Sequence, residues 1–319
     1  MEKTVSRKNF VRVVGYLKEN LLENIKDKNG DNVIRGSIII ATSDIDSHKI
    51  QFYVKELDKN GEKVKEYETL STLLPENTIS IASYLKNTPT ANFAVASSMS
   101  TKVWANARFE EFTKVNDGKE LTSILLRGSK AGIRSVSDTT TFKPEATFSA
   151  EVYIDSLEEE KEDGEATGRA ILVGYLPIYN GGANRITFVA PKEDNIAKYL
   201  LANYKVTDTV VLNGDLVSAV EVEKKGEEAS TKEFFGRGSD QKQYTTKFVR
   251  ERRIYGGSKT PIHQGEEGCI STKEMKERLV VRNSLIEKNS QGNSTPKATP
   301  KVESAGFTDA KVVSDDLDF

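Results

Sequence analysis

Cations and aromatic rings are interleaved over one stretch of this chain in a way that suits the binding of a polyanion. Between Thr231 and Lys259, eight basic residues (Lys232, Arg237, Lys242, Lys247, Arg250, Arg252, Arg253, Lys259) stand against three acids (Glu233, Asp240, Glu251). Phe234, Phe235, Tyr244, Phe248 and Tyr255 sit among them. Lys and Arg track phosphates, and exposed ring faces stack on bases at roughly 1 to 3 kcal/mol each, which is the chemistry of a single-stranded nucleic acid held without sequence preference. The segment Phe234-Phe235-Gly236-Arg237-Gly238-Ser239 reads as a loop whose two rings are costly to leave in water unless a base, a partner or the core covers them. Arg250, Arg252 and Arg253 are expected to contact phosphate, the alternative being a solvated strand end with ion pairs.

The same mixture recurs more thinly elsewhere. Trp104, with Phe109 and Phe112, falls on a candidate strand, and Arg127, Lys130 and Arg134 fall on or after the next one. The run Leu126 to Arg134 mixes small residues with bases and lets a backbone approach closely. Further along, Arg169, Tyr175, Tyr179 and Arg185 occupy a strand pair, with Tyr179 near its tip. Phe52 and Tyr53 are adjacent, so one of them faces out; the pattern does not say which.

Catalysis finds no comparable set. One cysteine, Cys269, excludes an internal disulfide framework and a cysteine-based zinc site, and His48 and His263 are far apart. No Ser-His-Asp or Cys-His arrangement is visible. Gly256-Gly257-Ser258-Lys259-Thr260 has Ser258 where a phosphate loop needs glycine before its lysine, and lacks the spaced upstream glycine. Glu158-Glu159-Glu160 reads as a solvated acidic loop. A non-enzyme with no cofactor and no metal is expected.

The 319 residues suffice for two domains, and 37% hydrophobic content suffices for ordinary cores. No run approaches the roughly 20 apolar residues of a membrane span, and the N-terminus lacks a secretory signal, so a cytoplasmic protein with no membrane partner is expected. The net charge is −2. Residues 307–319 hold four acids against one base, a net −3, which leaves residues 1–306 near +1 with their cations clustered.

The elements that must position these side chains are short strands. Asn9 to Glu23 reads as one long strand with a bend at Gly15, Ile34 to Ala41 and His48 to Leu57 as a hairpin, and Leu70 to Lys86 as a helix weakened by Pro75. Lys102 to Val115 and Glu120 to Arg134 form strands joined at Asn116-Asp117-Gly118-Lys119. A similar order follows: Ala146 to Leu157, an acidic loop over Glu158 to Glu165, the strand pair Gly168 to Pro177 and Asn184 to Ala190, and a helix from Asp194 to Tyr204 with Asp194 as N-cap. Strands Thr209 to Lys224 and Tyr244 to Ile254 complete it, and a last helix spans about Thr272 to Glu287.

Two successive units of this order suggest an internal duplication. The order resembles that of the five-stranded oligonucleotide-binding barrel, which places a helix between its third and fourth strands. The phrase Lys205-Val206-Thr207-Asp208-Thr209-Val210-Val211-Leu212-Asn213-Gly214-Asp215-Leu216 resembles the approach to the fourth strand in such barrels. The expected architecture is all-β with short helices: two tandem OB-fold barrels (five-stranded Greek keys) at residues 1–143 and 144–270, a C-terminal helix at 271–289, and a disordered linker and acidic tail at 290–319.

Glu287 to Ser304 is built of Asn, Ser, Gln, Gly, Thr, Pro and Lys and is expected to stay flexible. Beyond it come Asp315, Asp316, Leu317, Asp318 and the terminal Phe319. A folded body, a polar leash and an acidic tip ending in Phe resemble the arrangement of bacterial and phage single-stranded-DNA-binding proteins. The resemblance implies that the barrels bind single-stranded DNA in replication, recombination or repair, plausibly of a phage, and that the tip docks on partner proteins. It covers the tail and the barrel order, not a motif along the whole chain, and a chain with two barrels has less need to tetramerise. Two rival readings are a viral or phage structural protein of small β-domains, which self-associates and lacks salt-dependent DNA affinity, and an accessory protein whose barrels bind a protein partner.

Overall fold

The computed structural model describes residues 7–116, 119–134, 142–224 and 244–291. The expected tail with Asp315 to Phe319 and the expected loop with Phe234, Phe235, Arg237 and Lys242 lie outside them, as do the side chains of Tyr244 and Lys247.

The strands of the first half are β1 (Asn9–Asn20), β2 (Glu23–Lys26), β3 (Asn32–Ala41), β4 (Ser47–Lys55), β5 (Lys102–Asn116) and β6 (Lys119–Ile133). Alternation starts the first of them: Val11 and Val13 of β1 are fully buried, while Phe10 and Arg12 face outward. Their pairings close on themselves. β1 pairs with β3, β3 with β4, β4 with β6 in parallel, β6 with β5, and β5 with β1.

The second half repeats the circuit with β7 (Glu145–Glu162), β8 (Glu165–Pro177), β9 (Ala183–Ala190), β10 (Thr209–Lys224) and β11 (Tyr244–Gly257). β7 pairs with β8, β8 with β9, β9 with β11 in parallel, β11 with β10, and β10 with β7. In strand rank, both halves run first, second, third, fifth, fourth and back to first.

The first strands of the two circuits also pair with each other. β1 and β7 run antiparallel from Asn9↔Ala150 to Val14↔Glu145, so one sheet continues through the expected boundary at 143–144. Just past this seam is Gly15, where an added Cβ would lie 2.2 Å from the carbonyl oxygen of Ala41; that contact lets β1 turn to β3. The core likewise runs through both halves, from Leu17, Ile38 and Ile50 to Phe188 and Leu172.

Three expectations are corrected. The helix expected over Leu70 to Lys86 is broken into α1 (Lys65–Ser71), a single 3-10 turn (Pro75–Asn77) and α2 (Ile81–Asn87), with α3 (Phe93–Met99) following. Pro75 has no N–H to donate and clashes with a preceding helical turn. The chain restarts at Ser80, whose hydroxyl accepts from Ser83 N while the Ser83 hydroxyl accepts from Ser80 N, both at 3.0 Å. The acidic loop over Glu158 to Glu165 is instead strand. β7 and β8 pair to Glu162↔Glu165, and the two-residue turn Asp163-Gly164 has φ of 51° and 89°, the geometry that an Asp-Gly pair permits. The helix of the second half, α4 (Ile196–Asn203), starts after Asp194, which stands in the left-handed region beside Asn195 and does not cap it.

The last helix, α5 (Thr272–Gln291), seats Met275 and Leu279 on Tyr153 and Tyr175 of the second half. No helix of the described residues is long and apolar enough to cross a membrane.

Candidate nucleic-acid interface

Directly opposed residues of paired strands project to the same side of a sheet. On the first circuit this register builds an outward row: Arg35 opposes Tyr53, Gln51, two residues before Tyr53 on β4, opposes Arg127 across the parallel pair, and Arg127 opposes Arg108. Tyr53 is 52% exposed, whereas its neighbour Phe52 is 2% exposed. The choice between these two is made by Gly128 of β6, since a Cβ there would sit 2.2 Å from the Phe52 ring. The inward face of β4 is therefore filled by Phe52, and Tyr53 presents its ring to solvent.

A second outward row runs beside the first, with Thr147, Arg12, Asn106 and Lys130 in register over β7, β1, β5 and β6. A third holds Val14, Trp104 and Gly132. The Trp104 indole lies against the Gly132 backbone, 3.2 Å from where a Cβ would be, so the ring is flat on the sheet and partly covered. Among the described residues, Arg12, Lys49, Arg108 and Lys130 form no ion pair. Arg127 donates to Glu110 at 2.9 Å, and Arg35 makes only a 3.9 Å contact with Glu23. Arg134 follows β6 and donates its backbone N–H to Lys102; its Nε is buried without a hydrogen-bond partner among the described residues.

The outward row continues onto the second half. Beyond Ala107, β5 leaves β1, and residues 108–116 with their β6 partners project as a two-stranded ribbon. The Arg108 guanidinium lies over the ring of Tyr179, 5.3 Å from its centroid. Tyr179 is 83% exposed on the turn between β8 and β9. The turn is pinned by Ile178 N to Gly182 O, Gly181 N to Ile178 O, and Gly182 N to the Asn180 side chain. Ribbon, turn and α5 enclose a cleft of about 740 Å³. Phe109 closes its floor: it is 1% exposed, its carbonyl accepts from Asn9 and Asn184, and its ring meets Phe148 and Phe188 edge-on. Phe112 lines the same cleft.

The outer face of the second circuit is differently furnished. Arg169 contacts Glu160 at 3.1 Å through an Nε that is not aligned for a hydrogen bond, and donates to Glu251 at 2.6 Å. Arg253 donates to the other oxygen of Glu251 at 2.6 Å. Burial pushes the Glu251 carboxyl up, but Arg253 and Arg169 outweigh it and hold it below its ordinary value. Arg185 lies 3.6 Å from Asp155, and Arg7 donates to Glu151 at 2.5 Å. Tyr175 is half-buried under α5.

Also on β11, Phe248 and Tyr255 are 56% and 55% exposed. The guanidinium of Arg250 lies 4.9 Å from the Phe248 centroid. Arg252 turns inward, donates to Thr187 O at 3.2 Å and lies 5.5 Å from the Phe109 centroid, and its Nε has no hydrogen-bond partner among the described residues. Burial, and then the neighbouring charge of Arg250, bring its pKa down to about 10. Beyond Asp215, β10 leaves β7 and continues with β11 as a second two-stranded ribbon, whose β10 edge is held by the first half, where Asp46 accepts from Ser218 N at 2.8 Å.

Of the site residues expected from sequence, Trp104, Arg127, Lys130 and Tyr179 thus share one surface. Arg169, Arg185 and Arg253 stand in ion pairs, and Arg250 and Arg252 lie on the second ribbon. Sequence reasoning missed Phe10, Arg12, Arg35, Lys49 and Arg108. The alternation Phe10-Val11-Arg12-Val13 was a readable signal for two of them. Arg108 becomes notable only through its contact with Tyr179, 71 positions away. Among the described residues, no group of His, Cys, Asp and Glu is arranged to hold a metal.

The arrangement defines a mostly β protein of two closed strand circuits fused through their first strands, with a cationic and aromatic outer face on the first. The model of the YorF family matches residues 8–292, and the chain belongs to that family. No curated protein matches the sequence. Among solved structures, the wild-type single-stranded DNA binding protein from Thermus aquaticus aligns at a TM-score of 0.44 and 11% identity, over 84% of this chain and 100% of that one. A deletion mutant of the same protein aligns at 0.46 and 11%, over 82% and 98%. One chain of a replication protein A heterotrimer bound to ssDNA aligns at 0.19 and 10%, over 70% and 47%. These likenesses carry no weight in the functional reading, which rests on the residues.

Proposed function

We propose that this chain binds single-stranded DNA without sequence preference along the outer face of the first circuit, from Arg35 and Tyr53 through Arg127 and Arg108 to Tyr179. The observation that carries this is the cross-strand row itself. It sets exposed rings at both ends of a line of guanidiniums, which is what a stacked, negatively charged strand requires. Both circuits are read as oligonucleotide-binding barrels, because their strand order, with the parallel third–fifth pair, is the order of that fold. Phe248 and Arg250 of β11, with the loop of Phe234, Phe235, Arg237 and Lys242, are a second contact region. The protein is read as a non-catalytic cytoplasmic component of phage DNA replication, recombination or repair. Asp315, Asp316, Leu317, Asp318 and Phe319 are its hook for partner proteins.

The test is fluorescence anisotropy of labelled oligo-dT of about 30 nucleotides at low and high salt, with duplex of equal length as competitor. Tight binding that falls with salt and resists duplex competition supports the reading. Absence of binding at low salt removes it.

A further inference from the structure

Tyr179 stands at the tip of a turn that is held from outside as well as by its own hydrogen bonds. From α5, across the cleft, the Arg278 guanidinium reaches into that turn and donates through Nη1 to Ile178 O at 3.2 Å and to Gly182 O at 3.3 Å. These two carbonyls bracket Tyr179. Arg278 is 8% exposed, and its Nε donates to Glu274 at 2.9 Å, one helical turn earlier, which fixes the guanidinium plane. One turn later Arg282 grips the ribbon: its Nε donates to Glu111 at 3.0 Å, and Glu111 also accepts from Arg185 N at 2.7 Å. So α5 holds, from one face and four residues apart, both the turn that bears Tyr179 and the ribbon that bears Arg108.

We infer that α5 is the positioning element that aligns the Tyr179 ring with the row of the first circuit, and that Arg278 is its principal residue. Resting on the single-strand reading above, the inference assigns a role to a helix that touches no nucleic acid in that reading. A single strand lying on Tyr53 and Arg127 reaches Tyr179 only while the turn stays under Arg108. A buried guanidinium on two carbonyls is well suited to keep it there, since charged donors make the stronger hydrogen bonds.

The test is a double-mutant cycle between Arg278→Ala and Tyr179→Ala, read as affinity for two lengths of oligo-dT, about 8 and about 30 nucleotides, given that one barrel of this kind holds about 4 to 16. The expected result is that Arg278→Ala weakens the long oligonucleotide about tenfold, the loss of roughly one stacked base, and changes the short one less than about twofold. In the Tyr179→Ala background it should add almost nothing. Equal weakening of both lengths, an additive cycle, or no change overturns the inference while leaving the single-strand reading intact. Failure of the unmutated protein to bind either length overturns both. If Arg278→Ala does not fold, Arg278→Lys keeps the charge but loses the planar fork, and the same cycle applies with a smaller loss.

Discussion

On the first circuit Arg12, Lys49, Arg108 and Lys130 face solvent without an ion pair among the described residues, whereas on the second Arg169, Arg185 and Arg253 each lie against a carboxylate. The strand order is the same in both halves, so the difference comes from what each outer face carries. The second circuit places Asp155, Glu160 and Glu251 beside its arginines, and α5 covers Tyr153 and Tyr175. The first places neutral Gln51 and Asn106 in register with Arg127, Arg12 and Lys130 and leaves Tyr53 bare, with Glu110 on Arg127 as the one close carboxylate among the described residues of that row. A guanidinium already bonded to a carboxylate must give up that bond to take a phosphate. Two copies of one topology can thus divide the work, one surface for ligand and one for architecture.

The joint between the halves gives the largest expected effect. Phe109→Ala removes a fully buried ring that meets Phe148 and Phe188, and should cost about 3 to 5 kcal/mol in urea denaturation. If it costs under about 1 kcal/mol, the ribbon is not docked and the comparison loses its structural basis.

On the first face, Tyr53→Ala and Arg108→Ala should each weaken oligo-dT binding, Tyr53→Ala by about 1 to 3 kcal/mol. Arg108→Ala should also flatten the slope of log affinity against log salt by about 0.7, the value for one phosphate contact on a single strand. Both should leave stability nearly unchanged.

The Asp46 contact, where the first half holds the second ribbon, sharpens the comparison through pH. Burial pushes the Asp46 carboxyl up, but His48, Thr42 and Ser218 N together hold it below its ordinary value. A depressed carboxyl stabilises the fold at pH above the unfolded value near 3.9, and the contribution is lost as pH falls through the lower folded value. Asp46→Asn should therefore cost about 1 kcal/mol at neutral pH, and the cost should vanish in acid when stability is followed from pH 7 to pH 2. A cost independent of pH would mean that the charge of Asp46 does not matter.

Smallest are the changes expected in the second half. Arg169→Ala and Arg185→Ala should shift oligo-dT affinity by less than about threefold and stability by less than about 1 kcal/mol, as is usual for partly exposed pairs. A tenfold loss of affinity at either would place ligand on both faces.

Much of this was legible in the chain. Runs such as Phe10-Val11-Arg12-Val13 and Ile50 to Val54 announce half-buried strands, and Asn116 to Lys119 announces a hairpin, because period-2 alternation and turn residues are local signals. Asp163-Gly164 was equally local, but the glutamates on either side suggested a loop. What could not be read was pairing at a distance. Whether Phe52 or Tyr53 faces in depends on Gly128, and whether an arginine is available for a ligand depends on an acid one or two strands away, as with Arg169 and Glu251. Charge density therefore pointed to Thr231–Lys259, part of which lies outside the described residues, while Arg12, Lys49, Arg108 and Lys130 of the first half form no ion pair among the described residues.

The central claim is where the strand lies, and photo-crosslinking measures that directly. Oligo-dT carrying 5-bromodeoxyuridine would be irradiated on the full chain and the adducts mapped by mass spectrometry of the peptides. The account predicts adducts at Tyr53 and Tyr179, with Trp104 protected in part by its position on Gly132. Adducts found only in the second half at residues other than Tyr179, with none on β4, β5 or β6, would contradict it.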